Sequence, residues 1–164
     1  MGTVKFCILG RAGAGKTMFI RRLLPHLCKT GVKVATLKLS GSPMALNYPA
    51  TDAASLANAG AERSVVVSSD GMMIFPALQV PSIDQAVEIA ARGCDILLIE
   101  GRRLEGVPVI EVVRAGLPVL DDSEVWLSYS LKPTHRDHEV ADEESAAEEI
   151  LKRVALERSQ TLAT

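Results

Sequence analysis

Short apolar runs alternate along the chain with segments in which apolar residues recur at helical spacing. The first run, from Val4 to Leu9, stops at Gly10 and is typical of a strand buried on both faces of a parallel sheet. Between Lys16 and Lys29 the apolar residues line one helix face, and Gly31 follows as a stop signal. Val32 to Leu37 then predicts a second strand.

The regular pattern of apolar residues stops in the middle of the chain. Ser40 to Pro49 contains glycine, serine, asparagine and two prolines without any periodicity, which indicates a long loop of the kind that is often functional. Thr51 or Asp52 then caps a short predicted helix, and Gly60 ends it.

The second half of the chain adds a hairpin and then resumes the alternation of strands and helices. Arg63 to Ser68 and Met72 to Phe75 flank Asp70-Gly71, a strong hairpin signal, so we expect an antiparallel insertion at one edge of the sheet. The pattern as a whole predicts an α/β fold, a doubly wound, mostly parallel sheet with a β-hairpin insertion, in one domain over residues 1–164. The remaining predicted elements are a helix from Ser82 to about Arg92, strands at Ile96 to Ile99, Val109 to Val113 and Val125 to Tyr129, and a closing helix from Ala141 to about Arg158.

Composition and charge narrow the functional classes. Apolar residues make up 48% of the chain and charged residues 23%, as in ordinary globular proteins. The formal charge of −2 offers no field for capturing nucleic acid. No apolar run approaches the roughly 18 residues of a membrane span, and the start lacks a secretory segment, so we expect a cytoplasmic protein. The three cysteines form no CxxC pair and lie in or beside apolar runs, which indicates buried, reduced thiols.

The strongest chemical signal lies between the first strand and the first helix. Gly10 to Thr17 reads GRAGAGKT and matches the phosphate-loop (P-loop) pattern G-x-x-x-x-G-K-[ST] completely. In such a loop, backbone N–H groups point at phosphate oxygens and the helix N-terminus adds positive potential. We expect Lys16 to reach the outer phosphates of a purine nucleoside triphosphate and Thr17 to offer its hydroxyl to Mg²⁺. The residues predicted to contact the nucleotide in this segment are Gly10, Ala12, Gly13, Ala14, Gly15, Lys16, Thr17 and Met18.

Three further charged residues are candidates for the same site. Glu100 follows four aliphatic residues and precedes Gly101, which places its carboxylate at the carboxyl edge of the sheet, where ligands bind in open α/β folds. We expect Glu100 to orient Mg²⁺ or its waters and to be catalytic together with Lys16. Asp52 is a second candidate metal ligand and catalytic acid, or alternatively a helix N-cap. Lys38 ends the second strand within reach of a bound triphosphate, or alternatively is solvated.

Together these residues resemble the MobB family, the GTP-binding accessory proteins of molybdopterin-guanine dinucleotide biosynthesis. The resemblance runs from the first strand to about Arg114 and implies a P-loop NTPase fold. It also implies a homodimer that binds GTP with Mg²⁺, hydrolyses it slowly and assists a molybdopterin guanylyltransferase, and it adds Arg114 to the nucleotide-binding residues. The segments that carry it are the P-loop, Lys38, TDAASLANAGA from Thr51 to Ala61, LLIEG from Leu97 to Gly101 and PVIEVVR from Pro108 to Arg114.

One segment departs from the family pattern. After the lysine the family usually carries a histidine-rich loop, whereas this chain has Leu39 to Pro43 and no further histidine until His135. A paralogue that serves another cofactor intermediate is therefore an open alternative. His135 and His138 favour a solvated loop over a metal pair. Arg102 and Arg103 either contact phosphate or pterin or remain solvated.

The nucleotide and the reaction are also open at this point. The chain has no Asn-Lys-x-Asp guanine motif, so a preference for GTP over ATP follows from the resemblance alone. The alternatives are an ATP-dependent small-molecule kinase or ligase and an adaptor in which nucleotide only orders Ser40 to Pro49. A kinase of this size usually needs a lid that carries arginines over the phosphates, and the lack of a strong lid insertion favours the accessory protein.

Overall fold

The chain folds into two compact units. The structure is a computed structural model that describes residues 2–40, 52, 55–56, 59–69, 71–76, 82–115 and 118–162. Met1–Gly41 and Val87–Thr164 form the first unit, and Ser42–Ala86 form the second. The single domain predicted for residues 1–164 stays a prediction. In chain order the strands are β1 (Val4–Leu9), β2 (Val34–Lys38), β3 (Arg63–Ser68), β4 (Gly71–Pro76), β5 (Ile96–Glu100), β6 (Val109–Val113), β7 (Leu127–Ser130) and β8 (Glu139–Val140), and the helices are α1 (Lys16–Cys28), α2 (Ile83–Ala91) and α3 (Glu143–Leu162).

A six-stranded parallel sheet forms the centre of the first unit. Its strand order is β2-β5-β1-β6-β7-β8, and every neighbouring pair is parallel. The short, almost wholly apolar runs predicted to be buried strands become β1, β5 and β6, which occupy the middle of the sheet. The predicted α/β fold with a mostly parallel sheet is confirmed.

The core of the first unit lies on one face of this sheet. Alternate strand residues point to that face, and the apolar stripes of α1 and α3 cover it. Phe6 and Ile8 from β1 and Leu23 from α1 are fully buried there. The rings of Phe19 and Tyr129 join α1 to β7 with their centroids 4.4 Å apart. This packing holds α1 against the sheet, so the connection from β1 to α1 is anchored at both ends.

The strand register brings several chain segments to the same edge of the sheet. Glu100 at the end of β5 lies between Lys38 of β2 and Ile8 of β1. On the other side of β1, Leu9 pairs with Glu111 of β6. The carboxyl ends of these strands therefore meet at one edge, where ligands bind in open α/β sheets.

The hairpin of the second unit is partly as predicted. Its antiparallel pairing is confirmed, with Val66 opposite Met73 and Ser68 opposite Gly71. The expectation that it extends an edge of the main sheet is wrong, because β3 and β4 form a two-stranded sheet of their own. Alternation and turn residues determine which strands form a hairpin, but they do not determine what lies beside it.

Other predicted elements differ from the structure at their ends. The closing helix begins at Glu143 rather than Ala141, because Asp142 caps it by accepting the Ser145 N–H at 2.7 Å. The short strand β8 was not predicted, since two residues carry no periodicity.

The segment before the hairpin is described only in part. Asp52 and residues 55–56 are helical, in agreement with the short predicted helix. The predicted cap at Thr51 lies outside the described residues, as does the predicted loop Ser40 to Pro49 beyond its first residue. Among the helices that the structure describes, none is long and apolar enough to cross a membrane.

The prediction that all three cysteines are buried is wrong for Cys28. Cys7 is fully buried in β1, Cys94 is half-buried and Cys28 is exposed. Cys28 follows buried Leu27, and the turn of about 100° between successive helical residues moves it off the apolar stripe of α1. Burial raises the pKa of the Cys7 thiol.

Candidate functional site

The connection from β1 to α1 has the geometry of a phosphate loop. Gly10 follows β1 directly with φ 137°, and a Cβ atom placed there would lie 2.4 Å from the Val112 carbonyl oxygen of β6. Only glycine permits this close approach. At the other end of the loop, no side chain among the described residues caps the start of α1. The N–H groups of its first turn are therefore free to bind an anion.

The Lys16 side chain folds back over this loop. Its Nζ atom donates to the carbonyl oxygens of Gly10 and Arg11, both at 2.9 Å. These bonds hold the ammonium group against the backbone of the loop. Phosphate oxygens are anionic acceptors and so compete well with carbonyl oxygens for an ammonium donor. This geometry suits the role predicted for Lys16 at the outer phosphates, which stays a prediction.

Glu100 joins the first turn of α1 to the ends of β5 and β2. The Thr17 hydroxyl lies 2.9 Å from both carboxylate oxygens of Glu100, and Lys38 Nζ lies 3.3 Å from Oε1. Glu100 is only 9% exposed, and a buried charge requires such partners. The hydroxyl and the carboxylate are hard oxygen donors side by side, which suits Mg²⁺.

A magnesium ion at this site would take most of its ligands from elsewhere. Within the described part of the chain, no group of three or more His, Cys, Asp and Glu side chains is arranged so that it could hold a metal ion. Mg²⁺ usually binds through one or two protein ligands, several waters and the substrate phosphates. The residues present therefore fit a metal that arrives with a nucleotide, rather than one held in a protein cage.

Gly101 brings the chain after β2 close to Glu100. The Leu39 N–H donates to the Glu100 carbonyl at 2.9 Å. A Cβ atom on Gly101, which has φ 107°, would lie 2.4 Å from the Leu39 carbonyl oxygen. Both the backbone angle and the lack of space require glycine here. Glu100 thus supplies a carboxylate, and Gly101 leaves the space in which Leu39, the residue after Lys38, packs.

Arg114 lies beside the phosphate loop on the opposite side from Glu100. It follows β6 directly, is exposed and donates from Nη1 to the Gly13 carbonyl oxygen at 2.9 Å. A guanidinium group has more N–H donors than this one bond uses, so Arg114 has donors left for an anion at the loop.

The other predicted residues fall into different places. Asp52 is an exposed helical residue of the second unit, and its role as metal ligand and catalytic acid stays a prediction. Arg103 pairs with Glu124 at 3.0 Å. His135 and His138 are exposed, as expected of a solvated loop. The binding roles assigned to the loop, Lys38 and Arg114 also stay predictions, although the geometry suits them.

Comparison with known proteins identifies the family. A family model described as "Molybdopterin guanine dinucleotide synthesis protein B" (MobB) matches residues 5–126. The match spans most of the chain and includes the P-loop, Glu100 and Arg114. The chain belongs to the MobB family.

Curated relatives agree with this assignment to the MobB family. The Escherichia coli (strain K12) protein is 26% identical over 111 residues, a match that covers 64% of this chain and 62% of that protein. The Haemophilus influenzae (strain ATCC 51907 / DSM 11121 / KW20 / Rd) protein is 26% identical over 121 residues, with 70% and 68% covered. Both are named "Molybdopterin-guanine dinucleotide biosynthesis adapter protein". The match thus spans less than two thirds of the length of the Escherichia coli relative.

Solved MobB structures share the fold of this chain. A crystal structure of molybdopterin-guanine biosynthesis protein B superposes with a TM-score of 0.68 at 22% identity, covering 93% of this chain and 99% of that one. Bacillus subtilis MobB gives a TM-score of 0.65 at 21% identity, covering 91% and 96%. The MobB homologue from Bacillus stearothermophilus gives 0.61 at 16% identity, covering 93% and 98%. Identities this low support the fold alone.

The sequence reasoning missed a buried ion pair in this MobB chain. Glu111 in the middle of β6 is fully buried, and its Oε2 atom lies 2.7 Å from Nη1 of Arg136, which follows β7. The available signal was an acid at the centre of the apolar run VIEVV, because a charge inside a buried strand requires a partner. Nothing in the local pattern around Arg136 identifies it as that partner.

Proposed function

We propose that this chain binds GTP with Mg²⁺ and acts as an adapter in molybdopterin-guanine dinucleotide biosynthesis. The observation that carries the proposal is the contact between Thr17 of the P-loop and Glu100 at the end of β5, which assembles a phosphate loop and a metal-binding acid at one sheet edge. The family assignment and the names of the curated relatives supply the pathway.

The chain's own residues account for triphosphate binding. The backbone N–H groups of residues 10–15 and the uncapped start of α1 hold the phosphates. Lys16 exchanges its two carbonyl acceptors for oxygens of the outer phosphates. Thr17 and Glu100 would hold Mg²⁺ directly or through its waters, and the metal would neutralise charge on the outer phosphates.

Lys38 has a distinct role in this proposal. Its ammonium neutralises Glu100 in the structure, at 3.3 Å from Oε1. With Mg²⁺ bound at Glu100, Lys38 would no longer be needed to neutralise the carboxylate and would become available to the γ-phosphate. This exchange links the chain after β2 to the presence of a triphosphate, because Leu39 packs on Gly101 directly beside Glu100.

The proposed assembly is a cytoplasmic homodimer that hydrolyses GTP slowly and acts on a molybdopterin guanylyltransferase. Hydrolysis is expected to be slow because Glu100 contacts Thr17 and would hold Mg²⁺ with it, rather than activate a water. An adapter does not require rapid turnover, since it acts through the partner to which it binds.

Two measurements test this function. The first is a competition titration of GTP, ATP and GDP with and without Mg²⁺. We expect GTP to bind most tightly of the three, and we expect its affinity to fall when Mg²⁺ is left out. The second compares turnover with nucleotide alone and with molybdopterin plus its guanylyltransferase, in which we expect stimulation by the partner enzyme. Tighter binding of ATP, with rapid phosphoryl transfer to a small molecule, would favour the kinase instead.

A further inference from the structure

The Glu111–Arg136 pair lies apart from the phosphate loop, on the face of the sheet opposite α1 and α3. Ile110 and Val112 face the core beneath those helices, so Glu111 between them points the other way. The side chain of Glu111 is fully buried and that of Arg136 is 7% exposed. An ion pair buried to this degree has lost most of its hydration, so it contributes little stability relative to an apolar pair. Its presence calls for another explanation.

The pair joins two long connections of the sheet. Glu111 Oε1 accepts the N–H groups of Val119 and Leu120 at 2.7 and 3.2 Å, both in the connection from β6 to β7. Arg136, in the connection from β7 to β8, donates to the Leu120 carbonyl and to the Ser128 hydroxyl. The backbone of the β6–β7 connection is thus held by the side chain of Glu111 in β6 and by that of Arg136 in the β7–β8 connection.

Both connections leave the sheet at the edge that carries the phosphate loop. The first begins with Arg114, which donates to Gly13, and with Ala115, which has φ 60°. The second begins at Leu131 and contains His135, which has φ 63°. These are the only non-glycine residues with positive φ in the described part of the chain, and such strained residues persist where surrounding contacts hold them.

The two sides of β1 would hold different ends of a nucleotide. Thr17 contacts Glu100 of β5, so a metal held there and the outer phosphates would lie on the β5 side of β1. β6 and β7 lie on the other side of β1. A nucleotide that extends away from its metal-bound phosphates along this edge brings its ribose and base to the turns that follow β6 and β7.

We infer that Glu111 and Arg136 are positioning residues for the nucleoside half of the bound nucleotide. By holding the two connections together, they place the turns at Ala115 and at residues 131–135 beside the P-loop, where those turns contact the ribose and base. This inference rests on the proposed nucleotide binding. It predicts that the pair affects only that part of the affinity that comes from the nucleoside.

The test compares GTP with inorganic tripolyphosphate, each with Mg²⁺, because tripolyphosphate keeps the phosphate contacts and lacks the nucleoside. The variants are Glu111→Gln, Arg136→Gln and the double variant, which leaves no uncompensated buried charge. We expect the double variant to lose about tenfold or more in GTP affinity while its tripolyphosphate affinity stays within about twofold of wild type. Its melting temperature should exceed that of either single variant, since a lone buried charge destabilises more than a neutral pair.

The matched control is Glu124→Gln, the same chemical change in the same β6–β7 connection, where Glu124 forms an exposed pair with Arg103. It should leave both affinities unchanged. Equal losses for GTP and tripolyphosphate in the double variant, or no loss for GTP, would overturn the inference while leaving nucleotide binding intact. Failure of the wild-type chain to bind either ligand would instead overturn the proposed function together with this inference.

A measurement on the wild-type chain covers the case in which the variants do not fold. Hydrogen exchange at residues 119–120 and at the non-proline residues from 131 to 136 should slow more with GTP and Mg²⁺ than with tripolyphosphate and Mg²⁺. The same protection with both ligands would contradict a role for these connections at the nucleoside.

Discussion

The hydroxyl of Thr17 and the carboxylate of Glu100 meet at 2.9 Å although 83 residues separate them along the chain. The contact joins the first turn of α1 to the end of β5, and the ammonium of Lys38 completes it from β2. Three elements thus converge on one carboxylate that is almost buried. A substitution that removes the negative charge of Glu100 should therefore weaken metal binding and leave phosphate binding by the loop in place.

Glu100→Gln should leave nucleotide affinity measurable and remove most of its dependence on Mg²⁺. The amide keeps the shape of the side chain and an oxygen that accepts from Thr17, but it lacks the negative charge that attracts a metal ion. We expect GTP hydrolysis to fall about tenfold or more. A magnesium titration of GTP affinity, with single-turnover hydrolysis, measures both effects.

The control for this substitution is Glu105→Gln, at an exposed position in the β5–β6 connection. It should behave as wild type. Unchanged hydrolysis and magnesium dependence in Glu100→Gln would show that Glu100 is a structural acid.

Lys16→Ala should weaken GTP binding about 10- to 100-fold and GMP binding far less. The reason is that the ammonium meets charge that only the outer phosphates carry. Lys29→Ala serves as the matched control, because Lys29 follows the other end of α1 and pairs with Glu144 on the surface. Calorimetric titration with both nucleotides measures the two affinities. Equal losses of affinity for GTP and GMP would be incompatible with a role of Lys16 at the outer phosphates.

Gly101→Ala should destabilise the fold more than Gly106→Ala does. Both glycines have positive φ, which costs an alanine roughly 1–2 kcal/mol. A Cβ on Gly106 meets nothing within 4 Å, whereas one on Gly101 would lie 2.4 Å from the Leu39 carbonyl oxygen. We therefore expect about 1–3 kcal/mol of additional loss in the free energy of unfolding at Gly101. Urea denaturation of the two variants measures the difference, and equal losses would show that Leu39 moves aside freely.

Tyr129 should remain protonated well above the usual range of a phenol. Burial, reinforced by its hydrogen bond to Glu143 at 2.8 Å, raises the pKa of Tyr129 to about 12. The folded state thus favours the neutral phenol, so this contribution to stability is complete below about pH 10, the pKa of an unfolded tyrosine, and is lost as the pH rises through about 12.

Ultraviolet titration of Tyr48→Phe, in which Tyr129 is the remaining tyrosine, measures this pKa directly. Adding Glu143→Gln should lower the pKa part of the way, since burial is the larger cause. Between pH 10 and 12 the free energy of unfolding should fall more steeply in wild type than in Tyr129→Phe. A titration midpoint near 10 would mean that the ring is solvated.

Local sequence patterns determined several secondary-structure elements of this protein and its phosphate loop. The apolar run from Val4 to Leu9, the helical stripe after Lys16 and the GRAGAGKT segment between them identify a strand, a helix and a phosphate loop. The reason is that strand burial, helix faces and loop glycines depend on residues close together in the chain. The position of Glu100 at a strand end followed from the same kind of reasoning.

Tertiary structure alone decided which of these groups meet. The contact of Glu100 with Thr17 and Lys38 requires β5 to lie between β2 and β1, and that of Arg114 with Gly13 requires β6 on the other side of β1. The partner of Glu111 and the separate sheet of the hairpin were likewise not predicted. Strand order and register arise from packing between segments far apart in sequence, and periodicity within one segment carries no information about its neighbours.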